Sequence, residues 1–146
     1  MPRLLILAQF APAYVERLRS RFDVIYESWL DTGELADPEA LGERLHGESI
    51  DCLVIEADFV TAETVAAAPN LRFVGVCRGE IGPHVDLPAA AQAGVAVVNT
   101  PGRNAVAVAE LTLGLMVCLA RRIPQAHALV RSGRWDSPLA GYGGWG

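Results

Sequence analysis

Short apolar runs that alternate with segments of helical periodicity constrain the fold of this chain more than any other feature of its sequence. The first run, RLLILA at 3–8, has the length of a buried strand, and residues 11–22 then repeat apolar side chains at helical spacing. The same alternation predicts further strands at 23–27, 52–56, 71–77 and 95–99, and further helices at 37–47, 61–69, 86–94 and 104–123. Strands this apolar are covered on both sides. The pattern therefore predicts an α/β fold in which about five parallel strands carry helices on both faces of the sheet.

Residues typical of helix ends mark several of these boundaries. Asp37 is placed to cap the helix that Pro38 opens and Gly47 closes. Thr61 opens the next helix with a Thr-x-Glu-Thr cap signal, and Pro69 stops it.

Length, charge and cysteine content exclude several classes of protein. The 146 residues suit one domain, and 51% hydrophobic with 20% charged residues is the composition of an ordinary globular protein. A net charge of -5 disfavours nucleic acid as a partner, because phosphate binding needs a basic face. Three cysteines with no CxxC pair favour a reduced, cytoplasmic setting, and we identify no group of metal ligands.

The apolar stretch at 105–120 is a candidate for a membrane span. It is too short to cross a bilayer and carries Glu110 in its middle, so the sequence favours a buried helix. The N-terminal apolar run is also too short for a signal peptide. We therefore expect no membrane contact, and we expect Glu110 to have a buried partner.

Four loops follow predicted strands at their carboxyl ends, where open parallel sheets bind ligands; they are 8–12, 56–61, 77–83 and 99–104. In the third loop, CRGEIGP, Gly79 and Gly82 are followed by Pro83, and this spacing is not the GxGxxG of a dinucleotide site. Its small residues instead free backbone N–H groups to face an anion beside Arg78. From the residues alone, an ordinary turn and an anion site are equally open.

Two consecutive segments carry a family resemblance. RGEIGPHVDLPAAAQAG at 78–94 leads into GVAVVNTPGRNAVAVAEL at 94–111. Together they closely resemble the D-isomer-specific 2-hydroxyacid dehydrogenases, whose members typically show a Gly-x-Gly loop, an aspartate before an alanine-rich helix, then GI-x-V-x-NTPG-x-N and VAE. The resemblance is strong over 71–122, and over the first 70 residues it extends to organisation only.

The resemblance implies an oxidoreductase that combines a flavodoxin-like substrate domain with a Rossmann domain binding NAD or NADP. We expect 1–102 to form the flavodoxin-like domain, and 103–146 to form a long interdomain helix and a linker toward a Rossmann domain absent from this chain. The family's catalytic arginine, glutamate and histidine then lie downstream. We therefore expect no catalytic residue, no bound cofactor and no activity in this chain alone, and a homodimeric intact enzyme acting on a small 2-hydroxy or 2-oxo acid.

The resemblance also places a substrate site. Arg78 and Gly79, with the backbone amides of Glu80 and Ile81, match the loop that holds the substrate carboxylate in the family. Gly79 suits this position if a Cβ would block the approach of the anion, or if the backbone there needs a positive φ.

The loop after the third strand adds a further substrate candidate. Glu56, Ala57 and Asp58 stand where family members often present arginine or serine toward the substrate, and Ala57 is assigned to the site. The two acidic residues would repel a second carboxylate or a phosphate, which disfavours phosphoglycerate as substrate. Asn104 matches an asparagine beside the nicotinamide of the cofactor, and it is also placed to cap the helix that follows.

The histidines are not assigned to catalysis. His46 and His127 fall on predicted helices as surface residues, and His84 lies well away from the position of the family's catalytic histidine.

One other function stays open, and a second is disfavoured. A flavodoxin-like lobe by itself could act as a ligand-sensing or protein-interaction module. A receiver domain needs paired acidic residues after its first strand, where this chain has AQF, and it is therefore disfavoured.

Overall fold

Five strands of four residues each form one parallel sheet in the computed structural model, which describes residues 1–133. The strands are β1 (Arg3–Ile6), β2 (Asp23–Tyr26), β3 (Cys52–Ile55), β4 (Phe73–Val76) and β5 (Ala96–Asn99). They lie in the order β2-β1-β3-β4-β5, and every neighbouring pair is parallel. This is the flavodoxin-like order, so the predicted α/β fold is confirmed.

Helices connect the strands and follow the last of them. They are α1 (Pro12–Arg19), α2 (Trp29–Thr32), α3 (Pro38–Gly47), α4 (Ala62–Ala67), α5 (Leu87–Gln92), α6 (Ala105–Ala120) and α7 (Ile123–Arg131). The sequence did not predict α2 or α7. The helix predicted at 104–123 ends at Ala120, since Arg122 adopts a left-handed backbone with φ of 50° before α7 begins. The remainder of the predicted linker, 134–146, lies outside the described residues.

Side-chain caps hold two of the helix starts that the sequence marked. Oδ1 of Asp37 accepts hydrogen bonds from the N–H groups of Glu39 (3.1 Å) and Ala40 (3.0 Å) at the start of α3. Thr61 and Thr64 form a reciprocal capping box at the start of α4. Each cap satisfies N–H groups that a helix leaves unpaired, and both predicted starts are confirmed.

Alternate residues along the strands pack into two hydrophobic clusters, one on each face of the sheet. The larger cluster joins strand residues such as Leu5 and Leu53 to side chains of α3, α4 and α5. The smaller cluster joins Leu4 and Ile6 to α1 through Leu18. Helices therefore cover both faces, as predicted.

Helix α6 belongs to a second structural unit. Contacts divide the chain into one unit that ends at Arg103 and another that begins at Asn104. Within the second unit α6 packs against α7, and most of its apolar side chains are exposed, Leu119 by 81%. The expected burial of this helix and of Glu110 is wrong within residues 1–133, where no residue of α6 is buried and Glu110 is exposed. None of the helices described here is long and apolar enough to cross a membrane.

Candidate functional site

The strand order reverses between β1 and β3. The chain passes from β1 to β2 on one side of β1, and it later enters β3 on the other side. Ligands of open parallel sheets bind outside the carboxyl ends of the strands near such a reversal. The segments that follow β2, β3, β4 and β5 make side-chain contacts with one another at this edge.

Glu56 connects several of these segments. It directly follows β3, and the residue is 7% exposed. One oxygen of its carboxylate is paired with the guanidinium of Arg103, beyond β5. The other oxygen accepts a hydrogen bond of 3.4 Å from the indole Nε1 of Trp29, beyond β2. A single buried carboxylate thus joins three segments of the chain.

The pKa of Glu56 follows from two opposing effects. Burial by itself would raise the pKa of this carboxyl, but the hydrogen bonds from Arg103 and Trp29 and the charge of Arg103 outweigh burial and hold the pKa below its ordinary value. Glu56 is therefore ionised at neutral pH, as half of an ion pair.

The loop after β4 is fixed by its neighbours on both sides. Nε of Arg78 donates a hydrogen bond of 2.9 Å to the carbonyl oxygen of Glu56. The N–H of Thr100 donates to the carbonyl of Arg78 (3.1 Å), and Nδ2 of Asn99 donates to the carbonyl of Gly79 (2.6 Å). The carbonyl groups at 78 and 79 are therefore held toward the β5 side.

The N–H groups of the same loop have no such partners. Within residues 1–133, the N–H groups of Gly79, Glu80 and Ile81 donate to no backbone acceptor, whereas the N–H of the preceding Cys77 bonds to Ile55 (2.8 Å). Three consecutive donors beside an exposed arginine form an arrangement suited to an anion.

Gly79 leaves the front of the loop open. A Cβ placed on Gly79 would meet no atom within 4 Å. Its φ does not lie in the left-handed region, so the second of the two reasons considered for a glycine here, a positive φ, is wrong, and no backbone strain would oppose a side chain. The absence of a side chain at Gly79 thus leaves open space beside the loop.

The other residues predicted for the substrate site differ in how far their side chains are exposed. The side chain of Ile81 packs against the larger hydrophobic cluster, which leaves its backbone as the group it could offer to a ligand. Glu80 is exposed, and Ala57 is half-buried between Glu56 and Asp58.

The acidic loop after β3 is not a free negative surface. Glu56 is paired with Arg103, and Asp58 is 1% exposed with its Oδ1 accepting a hydrogen bond from the N–H of Ala36 (2.9 Å). The sequence argument that two free charges here repel a phosphate or a second carboxylate therefore loses part of its basis, because Arg103 compensates the charge of Glu56.

His84 contacts the loop after β3, whereas His46 and His127 lie on the surface. Nδ1 of His84 lies 3.2 Å from the carbonyl oxygen of Asp58, and its ring stacks on Phe59 with centroids 5.5 Å apart. His46 and His127 are exposed, as predicted.

Asn104 occupies the N-cap position of α6, at the start of the second unit. Its side chain makes no capping hydrogen bond, because its backbone, at φ -108° and ψ 10°, is not in the extended conformation of the side-chain-capped helices. The predicted side-chain cap is therefore wrong. Across the described residues, no three His, Cys, Asp or Glu side chains are grouped so that they could hold a metal ion.

Sequence reasoning missed Trp29 and Arg103 as residues of this edge. Arg103 lies in the loop at 99–104. The opposite charge of Glu56 in the loop after the third strand was the available sign that the two side chains pair. Trp29 gave no signal, since its role depends on α2, which the sequence did not predict.

The domain is therefore an α/β domain with a flavodoxin-like parallel sheet, and polar residues gather at the carboxyl ends of its strands. The family model of the D-isomer specific 2-hydroxyacid dehydrogenase, catalytic domain, matches residues 4–142. The chain therefore belongs to the D-isomer specific 2-hydroxyacid dehydrogenase family of oxidoreductases, as the resemblance of its sequence predicted.

The similarity of this chain to individual proteins supports this assignment. The YoaD protein of Bacillus subtilis (strain 168) is 39% identical over 114 residues, which are 78% of this chain and 33% of that protein. The D-3-phosphoglycerate dehydrogenase of Rattus norvegicus is 47% identical over 97 residues, 64% of this chain and 18% of that enzyme. The crystal structure of the TT0316 protein from Thermus thermophilus superposes with a TM-score of 0.75 at 31% identity, over 91% of this chain and 41% of that one. The chain thus spans a third or less of the length of these two curated relatives.

Proposed function

We propose that this chain supplies the substrate-binding part of a dehydrogenase that transfers hydride between NAD or NADP and C2 of a small 2-hydroxy or 2-oxo acid. The observation that carries the proposal is the row of N–H groups at Gly79, Glu80 and Ile81 that donate to no backbone acceptor in the described chain, beside Arg78. This row lies at the edge where the fold class binds its ligands. Membership of the family supports the reaction class.

The loop suits a carboxylate in charge and in shape. Arg78 uses its Nε to reach Glu56, and its remaining N–H groups are available to an anion. Asn99 and Thr100 hold the loop carbonyls, so the donors that follow are oriented before a ligand arrives. Preorganised donors lower the cost of binding and present C2 of the acid in one direction.

The cofactor would deliver or accept the hydride, which is its own chemistry. The described residues contain no glycine-rich turn of the GxGxxG kind that receives a pyrophosphate at a helix start. We therefore assign no phosphate-binding role to them. Asn104, whose side chain is not used as a helix cap, is the residue we propose to face the nicotinamide.

Catalytic groups are proposed to lie outside this chain. In the described part of the chain, the imidazole beside the loop is that of His84, which faces a carbonyl oxygen and the ring of Phe59. We propose a homodimeric, cytoplasmic enzyme, and the free thiols of Cys52, Cys77 and Cys118 agree with a reducing setting.

The 146-residue chain by itself is expected neither to bind NADH tightly nor to reduce 2-oxo acids. Nicotinamide fluorescence and NADH oxidation with glyoxylate or pyruvate check this, and micromolar NADH binding would contradict it.

The substrate site is tested by ¹⁵N NMR titration of this chain with D-lactate, using lactamide as the matched ligand that lacks the carboxylate. Saturable shifts are expected at the amides of Gly79, Glu80 and Ile81 with lactate and not with lactamide. Equal responses to both ligands, or no response at these amides, would refute the carboxylate site.

A further inference from the structure

Four residues form a closed ring of contacts around the start of the β4 loop. Arg78 donates to the carbonyl of Glu56, and Thr100 donates to the carbonyl of Arg78. The N–H of Arg103 donates to the carbonyl of Thr100 (3.4 Å), and its guanidinium returns to the carboxylate of Glu56. The ring fixes Arg103 on the same side of the sheet edge as the proposed carboxylate loop, through Thr100 and Glu56.

The two halves of the ion pair differ in exposure. The side chain of Glu56 is 9% exposed, whereas that of Arg103 is 44% exposed. Among the residues that the structure describes, Glu56 is the acceptor that the guanidinium of Arg103 contacts. A guanidinium has five N–H donors in a planar fork. Its buried side is thus anchored, and its exposed side keeps donors for a ligand.

We infer that Arg103 is a specificity-determining residue that binds a second anionic group of the substrate. This inference rests on the proposed function, since it takes the Gly79 loop as the site of the C1 carboxylate. With one end of the acid on that loop, Arg103 is placed to meet a carboxylate at the other end. The substrate class is therefore a 2-hydroxy dicarboxylic acid, preferred over a 2-hydroxy acid with an alkyl end.

The charges near Arg103 agree with this assignment. Glu56 compensates one positive charge, while Arg78 adds another that is exposed. Asp58 is buried and bonded to the N–H of Ala36. Glu80, on the loop itself, is an exposed opposing charge and forms no ion pair among the described residues. Glu56 acts as a positioning residue, because without it the arginine side chain would be free to turn into solvent.

The experiment compares D-malate with D-lactate, two 2-hydroxy acids that differ in a second carboxylate. Binding to this chain is followed by ¹⁵N NMR at the amides of Gly79, Glu80 and Ile81. Malate is expected to bind about tenfold more tightly than lactate, as for one partly exposed charge-assisted hydrogen-bonded pair. In Arg103→Gln the two acids should bind equally, because malate loses its partner, while the uncompensated charge of Glu56 weakens the binding of both acids slightly. Arg103→Lys should keep part of the preference, and Arg17→Gln, which removes one exposed charge from α1, should keep all of it.

The outcomes separate this inference from the proposed function. Equal binding of both acids by the unaltered chain overturns the role of Arg103 and leaves the carboxylate loop intact. Failure of both acids to bind overturns the two proposals together. Equal loss of both affinities in Arg103→Gln, with an unchanged thermal melt, shows that Arg103 only supports the loop and also overturns the inference.

Discussion

The carboxylate of Glu56 is paired with the guanidinium of Arg103 across the strand that separates the segments carrying them. Glu56 follows β3, Arg103 lies beyond β5, and β4 lies between these strands in the sheet. The loop after β4 carries the N–H groups proposed to hold the substrate carboxylate, and these donate to no backbone acceptor among residues 1–133. The ion pair therefore bridges the two sides of the candidate site, 47 positions apart in the chain.

The first prediction concerns the ionisation of Glu56. The indole N–H of Trp29 donates to this carboxylate, so its NMR resonance should report the titration of Glu56. The midpoint should lie below about 4.3, the ordinary pKa of glutamate, because Arg103 lowers the pKa of Glu56. In Arg103→Gln the midpoint should rise, since burial then opposes the charge. A midpoint that does not move would contradict the pairing in solution.

The second prediction concerns the packing of α3 on α4. A Cβ added at Gly42 would lie 3.0 Å from Cβ of Ala67 and 3.1 Å from Cα of Thr64. Gly42→Ala should lower the free energy of unfolding by about 1–2 kcal/mol, because overpacking costs more than the helix propensity of alanine returns. Gly47→Ala in the same helix meets no atom within 4 Å and should be neutral or stabilising. Urea unfolding of both variants measures the two free energies of unfolding. Equal values for the two variants would argue against this close approach of the helices.

The third prediction concerns stability in acid. Arg44 donates two hydrogen bonds to the carboxylate of Glu27, of 2.7 and 2.8 Å, and they lower the pKa of Glu27. A pKa that is lower in the folded state gives stability that is complete above the unfolded value and is lost as pH falls through the folded value. Glu27→Gln should therefore lower stability at pH 7 by less than about 1 kcal/mol, since the pair is partly exposed, and should flatten the decline below about pH 4.

Glu16→Gln is the matched control for this effect. Glu16 meets Arg19 at 3.6 Å on the exposed side of α1, and its side chain is 70% exposed. Its replacement should leave the acid decline unchanged. If urea unfolding between pH 3 and pH 7 shows the same decline for both variants, the contribution of Glu27 is refuted.

Much of the fold could be predicted from the sequence because its signals are local. Apolar runs marked the strands, and Asp37 and Thr61 marked helix starts through hydrogen bonds to residues only two or three positions away. The end of α6 was not predictable in this way, since Arg122 carries no sequence sign of a left-handed backbone.

The candidate site was only half predictable for the same reason. The loop at Arg78 and Gly79 could be identified from its glycines, its arginine and the family motif around it. The partners of Glu56 could not, because Trp29 and Arg103 reach it through tertiary contacts that leave no periodicity in the chain. Two acidic residues in one loop consequently suggested a repulsive surface, whereas in the folded chain Arg103 compensates the charge of Glu56.

The fourth prediction concerns the exposed surface of α6. Leu113 and Leu119 are 63% and 81% exposed, among many apolar side chains of this helix. An apolar surface of this extent promotes association, so the chain should form dimers or larger species as its concentration rises. The double variant Leu113→Lys and Leu119→Lys should weaken association at least tenfold in analytical ultracentrifugation. Tyr14→Lys, which replaces a 60% exposed residue of α1, should not. A strictly monomeric unaltered chain would rule out α6 as an association surface.

The last prediction concerns Gly79. A Cβ at Gly79 meets no atom within 4 Å and the backbone there is not left-handed, so Gly79→Val should fold with an unchanged melting temperature. Its side chain would nevertheless occupy the space in front of the N–H groups at 79–81, and the dissociation constant for D-lactate should rise by one to two orders of magnitude, about 1.4–3 kcal/mol. Glu80→Ala keeps the amide and alters only an exposed side chain, so its effect should be much smaller. NMR titrations with thermal melts separate the two variants. A folded Gly79→Val chain that binds lactate with unaltered affinity would show that the loop is a turn and not a carboxylate site.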